Sequence, residues 1–423
     1  MNRGSTGLAF VSTLVTSLLC VAASVVASED THEIVHPRPP TAEPKSEVKR
    51  ETLERLEALG YAEWTDVELA GSGKKVGVVT HDVERAYGSL NLYKSRPRHD
   101  AHLMDMQGRI LHTWRAPDPS AAAWDFVELL PDGSLFGSAK YERLEKLDWN
   151  SKLLWSVPVG PHHDLDIGED GRVYVLTEER RELSIDGDEY LIRDNDITIL
   201  SPEGVVERQV RLSDLFSDLV PKPRLKKIQR HRAKQFHGDV FHANSIELLD
   251  RDVPGVGRRG SVLVSIRELD LIAVLDLDPP RVVWSWGPGI LDAQHHPSLL
   301  SDGRMLIFDN GRARHWSRVL ELAPNTKSLT WELRGEPKSS LYTPTRGSAE
   351  RLPNGNTLVV ESGKGRVFEV TRSGEIVWDF FNPDIIETKG KRHRANIYRM
   401  PRLPRPLIDQ LPLKVKEVKG DVG

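Results

Sequence analysis

The sequence predicts an all-β protein, a six-bladed β-propeller, and three observations carry that expectation. First, four stretches superpose on one another: LLPDGSLFGS (Leu129–Ser138), IGEDGRVYVL (Ile167–Leu176), LLSDGRMLIF (Leu299–Phe308) and RLPNGNTLVV (Arg351–Val360). Each is a short apolar run, an Asp-Gly or Asn-Gly turn and a second apolar run, the mark of a tight hairpin whose Gly accepts positive φ. Second, a tryptophan recurs in the last run of the units, at Trp155, Trp284, Trp331 and Trp378, the final three spaced 47 residues apart; His112 and Arg208 take its place in the first and third units. Third, 32 Gly, 27 Pro and 10 Trp in 423 residues suit turn-rich β structure rather than a helical bundle. Four-stranded units repeated at this period are the signature of a propeller.

The elements follow in order. Residues 1–27 read as an export signal: Arg3 gives the positive start, Leu8 to Ala27 carries no charge, and small residues precede a cleavage site. An uncleaved anchor is the alternative, because twenty apolar residues can just span a bilayer. The protein is thus expected in the periplasm, with a membrane-anchored or secreted form as alternatives. Cys20 is the sole cysteine, so cysteine catalysis and cysteine-based zinc sites are excluded once the signal is removed. Residues 28–72 read as a Pro-rich spacer and a short helix (Ser46–Tyr61) with Leu53, Leu56 and Leu59 on one face.

The propeller is expected over residues 73–403. Its first unit runs from Lys74 to Trp114, and the others begin near Asp125, His163, His242, His295 and Gly347. Asn396–Leu403 is expected to add a strand to the first or the last blade, and residues 404–423 form a C-terminal tail. One segment breaks the repeat: Leu212–Phe241 is a basic, partly helical insertion, either a solvated surface excursion or a lid that attracts anions. A net charge of −4 gives no sign of a nucleic-acid partner.

Counting back eight residues from each turn glycine gives Asp125, His163, His295 and Gly347, and the apolar pattern of FHANSIELL puts His242 in the same column. The first strand of a blade lines the central channel, so His163, His242 and His295 are expected to converge near the axis. His162 and His296 fall one residue out of register, and alternation would turn them elsewhere. Three of 15 histidines in one column of six is an improbable accident. Arg267, at the end of the VLVSI run, is either a surface partner of Glu268 or a cation aimed at a bound anion. Three histidines can hold a metal, but a nearby arginine disfavours a dication. Three His and one Arg suit a tetrahedral oxyanion better, with charge spread over imidazolium and guanidinium.

HHDLDIGEDGRVYVLT, FHANSIELL with VLVSIREL, AQHHPSLLSDGRMLIFDNG and GSAERLPNGNTLVVES, in this order between Ala101 and Pro383, resemble the bacterial arylsulfotransferases. The resemblance implies an exported propeller that moves a sulfuryl group from an aryl sulfate to a phenolic acceptor, with no cofactor, nucleotide sulfate donor or metal. By position it implies His295 as the residue that becomes sulfated, with His163, His242 and Arg267 in the catalytic set and Asn244 binding substrate. The family's hydroxyl residue in the sixth-blade column is replaced here by Gly347, with Ser348 beside it as the substrate-binding hydroxyl. Which histidine is the general acid stays open. Two other classes remain alongside: a non-catalytic binding or scaffolding propeller, and a His-ligated metalloenzyme on the same fold.

Overall fold

Gly133, Gly171, Gly303 and Gly355 take φ between +80° and +87°, and each closes the hairpin between the first and second strands of a sheet. The computed structural model describes residues 33–35, 64–68, 71–185, 187–230, 238–388 and 390–413. The expected signal and the expected Ser46–Tyr61 helix lie outside them. Among the described residues the chain is nearly all-β, as predicted, and no helix is long and apolar enough to cross a membrane.

Seven sheets form. Sheet I holds Asn91–Tyr93, Asp100–Met104 and Ile110–Arg115, and sheet II the four strands between Trp124 and Val157. Sheets III, IV, V and VI begin at Pro161, Ala243, His295 and Ser348 and end at Arg211, Trp286, Arg334 and Phe381. In II to VI each strand pairs antiparallel with the next in sequence, so every sheet is a meander. A small seventh sheet joins Trp64–Asp66, Lys391–Ala395 and Ile385–Thr388. Glu33–Val35, within the expected spacer, pairs parallel with Trp331–Leu333 at the edge of sheet V.

The expected first unit, Lys74–Trp114, needs correction. Gly77–His81 pairs with Trp378–Phe381 as a fifth strand of sheet VI. The innermost position of sheet I is taken from the other end of the chain: Asn91 bridges Arg402 and Ser95 bridges Ile397, with Leu92 N–H donating to Pro401 O and Arg96 N–H to Asn396 O. Asn396–Leu403 therefore completes the first sheet and not the last.

The recurrent column ties neighbouring sheets together. His112 Nε2 donates to Trp149 O (2.8 Å), Trp155 Nε1 to Pro202 O (3.1 Å), Arg208 Nη2 to Leu277 O (2.5 Å) and Trp284 Nε1 to Pro324 O (3.2 Å). Trp331 Nε1 donates to Arg372 O (3.3 Å) and Trp378 Nε1 to Met106 O (2.9 Å). Every acceptor sits in the turn between the last two strands of the following sheet or, for Leu277, at the strand end that enters it, and the sixth bond returns to sheet I. The inner strands are tied as well. Asp164 and Asp166 accept from Ile246 N and Leu248 N, Glu247 from Leu299 N, and Glu350 from Arg402 N.

Two features depart from a plain meander. The middle strands of sheet III, Val173–Ile185 and Asp188–Leu200, run 13 residues each. The insertion forms the expected helices, Ser213–Phe216 and Lys222–Arg230. It is docked: Phe216 and Leu225 are buried in the core between sheets III and IV, and Arg224 pairs with Glu268 and donates to Asp239 O.

Candidate active site

The backbone at the start of the inner strands decides which side chains meet. His163 has φ +70° and His242 φ +48°, conformations that L-residues other than Gly adopt only where the surroundings hold them there. The ladder between the first two strands slips in register at the same place in four sheets, between Trp124 and Phe126, Pro161 and Leu165, Ala243 and Ser245, and His295 and Ser298. Such a bulge interrupts alternation and re-aims side chains. His162 and His163 consequently face the same space, which corrects the expectation that His162 turns away.

His163 Nε2 lies 2.9 Å from His242 Nε2, and the Tyr398 hydroxyl lies 2.9 Å from His163 Nδ1. His242 Nδ1 pairs with the Asp239 carboxylate at the end of the insertion. These partners fix the tautomers. The Nδ1–H of His242 donates to Asp239, so its Nε2 accepts from the Nε2–H of His163, whose Nδ1 accepts from Tyr398. Burial holds both rings well below the usual imidazole range, and neighbouring positive charge adds to it: first His162 and Lys140 at His163, first Arg267 at His242. Both are neutral in the free protein at neutral pH.

His295 is anchored differently. Its Nδ1 donates to Asn310 Oδ1 at 2.7 Å and approaches Ala293 O at 3.1 Å, while its Nε2 accepts from the backbone N–H of Arg346 at 3.1 Å. Asn310 is fixed in turn by donating to the carbonyls of Thr343 and Arg346. Burial, then the charge of Arg267, pushes the His295 pKa down to about 3. The result is a neutral imidazole whose Nε2 carries the lone pair. The preceding Gln294 is buried, donating to Ser265 Oγ and to the carbonyls of Ile266 and Leu271.

Arg267 opens a single 3-10 turn (Arg267–Leu269) just past the strand Val262–Ile266. It pairs with Glu268 as expected but is not a surface residue: its side chain is only 13% exposed, and its charge lowers the pKa of His242 and His295. Asn244 donates from Nδ2 to Gln294 O at 2.8 Å, and its Oδ1 has no hydrogen-bond partner among the described residues. Ser348 lies in a space that His163, His242 and His295 do not line. It lines a cavity of about 270 Å³ with Glu128, Asp166, Glu247, His296 and Glu350. Gly347 precedes it at φ +90°, where a Cβ would stand 2.7 Å from the Phe308 ring, so no side chain fits at that point of the column.

Several residues around the site escaped the sequence. Lys140, at the end of the second strand of sheet II, carries charge felt at His162, His163 and His242. Burial lowers its own pKa to about 8. Burial alone would raise the Asp125 carboxyl, but Arg96 at 2.6 Å, Lys140, Arg346 and Lys94 hold it at about 2. Asp125, the first member of the column, is thus a fixed anion under several cations, and the surplus positive charge suits an anionic ligand.

The family described as Arylsulfotransferase (ASST) matches residues 127–383. No curated protein matches the chain in sequence. Among solved structures, a protein of unknown function from Bacteroides caccae is 11% identical, covering 74% of this chain and 98% of that one, with TM-score 0.48. A streptogramin B lyase structure is 12% identical, covering 79% and 96%, with TM-score 0.43. A catalytically inactive virginiamycin B lyase from Staphylococcus aureus with quinupristin is 10% identical, covering 75% and 90%, with TM-score 0.43.

Proposed function

Because the chain belongs to the arylsulfotransferase family, we propose that it is a six-bladed propeller enzyme that moves a sulfuryl group from an aryl sulfate to a phenolic acceptor through a sulfohistidine at His295. The six column hydrogen bonds, the last returning to sheet I, support six blades. The charge-free run Leu8–Ala27 behind Arg3 supports a periplasmic enzyme, released by cleavage or held at the membrane.

In the first half-reaction the Nε2 lone pair of His295 forms the N–S bond as the S–O(aryl) bond breaks. The arriving sulfur displaces the Arg346 N–H, a hydrogen bond worth about 1 kcal/mol. Arg267 balances the sulfuryl oxygens. The anionic donor, by adding negative charge beside both rings, raises their affinity for a proton, which the His163–His242 pair takes up from solvent as the donor binds and passes to the departing phenoxide. In the second half-reaction the same pair removes the acceptor phenol's proton, and the phenoxide takes the sulfuryl group from His295. Atoms and protons balance with no nucleotide and no metal in either step.

The observation that carries this proposal is the pairing of two distinct imidazole roles beside Arg267: His295, neutral and held by Asn310, and His163–His242, linked at 2.9 Å and held by Tyr398 and Asp239. Mixing the purified full chain with p-nitrophenyl sulfate is expected to give a sulfuryl adduct in intact mass spectra and transfer to phenol. In folded His295→Ala both disappear. A folded wild-type chain that forms no adduct and transfers nothing across a panel of donors and acceptors overturns the proposal.

A further inference from the structure

His162 has no task in that scheme, yet it is the most thoroughly enclosed of the three neighbouring histidines, with 0% exposure. Neither of its ring nitrogens has a hydrogen-bond partner among the described residues. A buried imidazole carries one donor and one acceptor, and leaving both unmade is destabilising. The ring stacks on Tyr141 (5.3 Å between centroids, 19° between planes), which fixes its orientation. Beside it lie two more buried atoms without partners, Glu178 Oε2, 3.6 Å from His162 Nε2, and Asp239 Oδ1. The ligand nitrogens of His162, His163 and His242 all fall within 4.8 Å of one another.

We propose that His162, His163 and His242 form a binding site for one divalent transition metal ion of the zinc type, with Glu178 or Asp239 as neighbouring carboxylate. Tetrahedral Zn–N bonds of about 2.1 Å put ligand nitrogens about 3.4 Å apart, so the widest pair need only draw in by side-chain rotation. The outer partners are those such a site uses. The Nδ1–H of His242 already donates to a carboxylate, leaving Nε2 for the metal. His163 binds through Nε2 once its proton moves to Nδ1, and the Tyr398 oxygen then accepts instead of donating. The positive charge nearby is offset in part: Arg193 pairs with Glu178 and Arg267 with Glu268, and Lys140 lies 3.8 Å from Asp125. Soft or borderline dications favour such an imidazole set over Mg²⁺ or Ca²⁺. A bound metal would occupy the nitrogens that relay the proton, so it would inhibit sulfuryl transfer. That consequence rests on the function proposed above, whereas binding does not.

The test uses the full chain after dialysis against chelator, titrated with Co²⁺ and then Zn²⁺ in the absence of any sulfate ester. One equivalent of Co²⁺ is expected to give the intense visible bands of a four-coordinate site, bleached by one equivalent of Zn²⁺. Cu²⁺ bound at the same stoichiometry is expected to show nitrogen hyperfine structure in its electron paramagnetic resonance spectrum. His162→Gln and His162→Ala, checked for folding by thermal melting, should weaken binding by roughly 100-fold or more, while His295→Ala should bind normally. Absence of stoichiometric binding by the wild-type chain, or unchanged affinity in a folded His162 variant, overturns the proposal. Because no transfer is measured, failure of the sulfotransferase proposal leaves this result intact, and the reverse holds too.

Discussion

At the scale of single residues, the His163–His242 pair and His295 differ in what their partners allow. If the pair protonates the leaving phenoxide, its removal should matter most when that phenoxide is a strong base. His242→Gln is therefore expected to slow transfer from phenyl sulfate by about 100-fold or more, and from p-nitrophenyl sulfate much less. Equal losses with the two donors would assign the pair another task. Asp239→Asn keeps the shape but removes the charge that holds the His242 Nδ1–H. A fall in kcat of about 10- to 100-fold with little change in KM is expected from steady-state kinetics. Much at this scale was legible in the sequence: the repeat register singled out His163, His242 and His295, and the end of the VLVSI run singled out Arg267; the structure joins His163 to His242 at 2.9 Å and brings the charge of Arg267 to bear on His242 and His295. His162 was not legible, because alternation assumes regular strand backbone and His163 sits at φ +70° inside a bulge. Asp239 was hidden in a segment with no repeat to compare, and Tyr398 in a segment whose bridging partners, Asn91 and Ser95, lie far away in sequence.

At the scale of elements, the column bonds are equivalent in pattern and unequal in setting. Trp378 Nε1 reaches Met106 O where both groups are buried, whereas the Trp155 bond to Pro202 O is exposed to water. Trp378→Phe should cost about 1–3 kcal/mol, because it strands a buried carbonyl, and Trp155→Phe less than about 1 kcal/mol. Urea unfolding midpoints of the two variants would show the difference. The sequence carried the hairpin turns well, since each demands a Gly at positive φ, and it carried the tryptophan column. It did not carry the 13-residue arms of sheet III, whose outer halves are rich in charged residues and have no counterpart in the other units of the repeat. Nor did it carry the transfer of Gly77–His81 to sheet VI, because sequence neighbourhood favours pairing with the nearest hairpin.

At the scale of the whole molecule, the protonation of buried groups sets how stability varies with pH. Burial raises the carboxyls of Glu128 and Glu247 to about 8 and of Glu178 and Glu350 to about 7, from 4.5. A raised carboxyl stabilises the fold while protonated, so this contribution fades as pH rises through 7 to 8. His162, His163, His242, His295 and His296 are depressed below 6.5, so their contribution is present above 6.5 and lost as pH falls. Lys140, lowered to about 8 from 10.5, works against the carboxyls above pH 8. The balance is a stability maximum near or just below neutrality and a loss of roughly 1–2 kcal/mol between pH 7 and 8.5. Urea midpoints at those two pH values should record it, and Glu247→Gln should flatten it. The pairing of Asn91 with Arg402 joins residues 311 apart in sequence, and it has a consequence for biosynthesis. A nascent chain can form its meanders one by one as they emerge from the ribosome, but it has no Tyr398 to offer His163 until all of the meanders have been made. The partners of His163 are thus brought together only after sheets II to VI have left the ribosome.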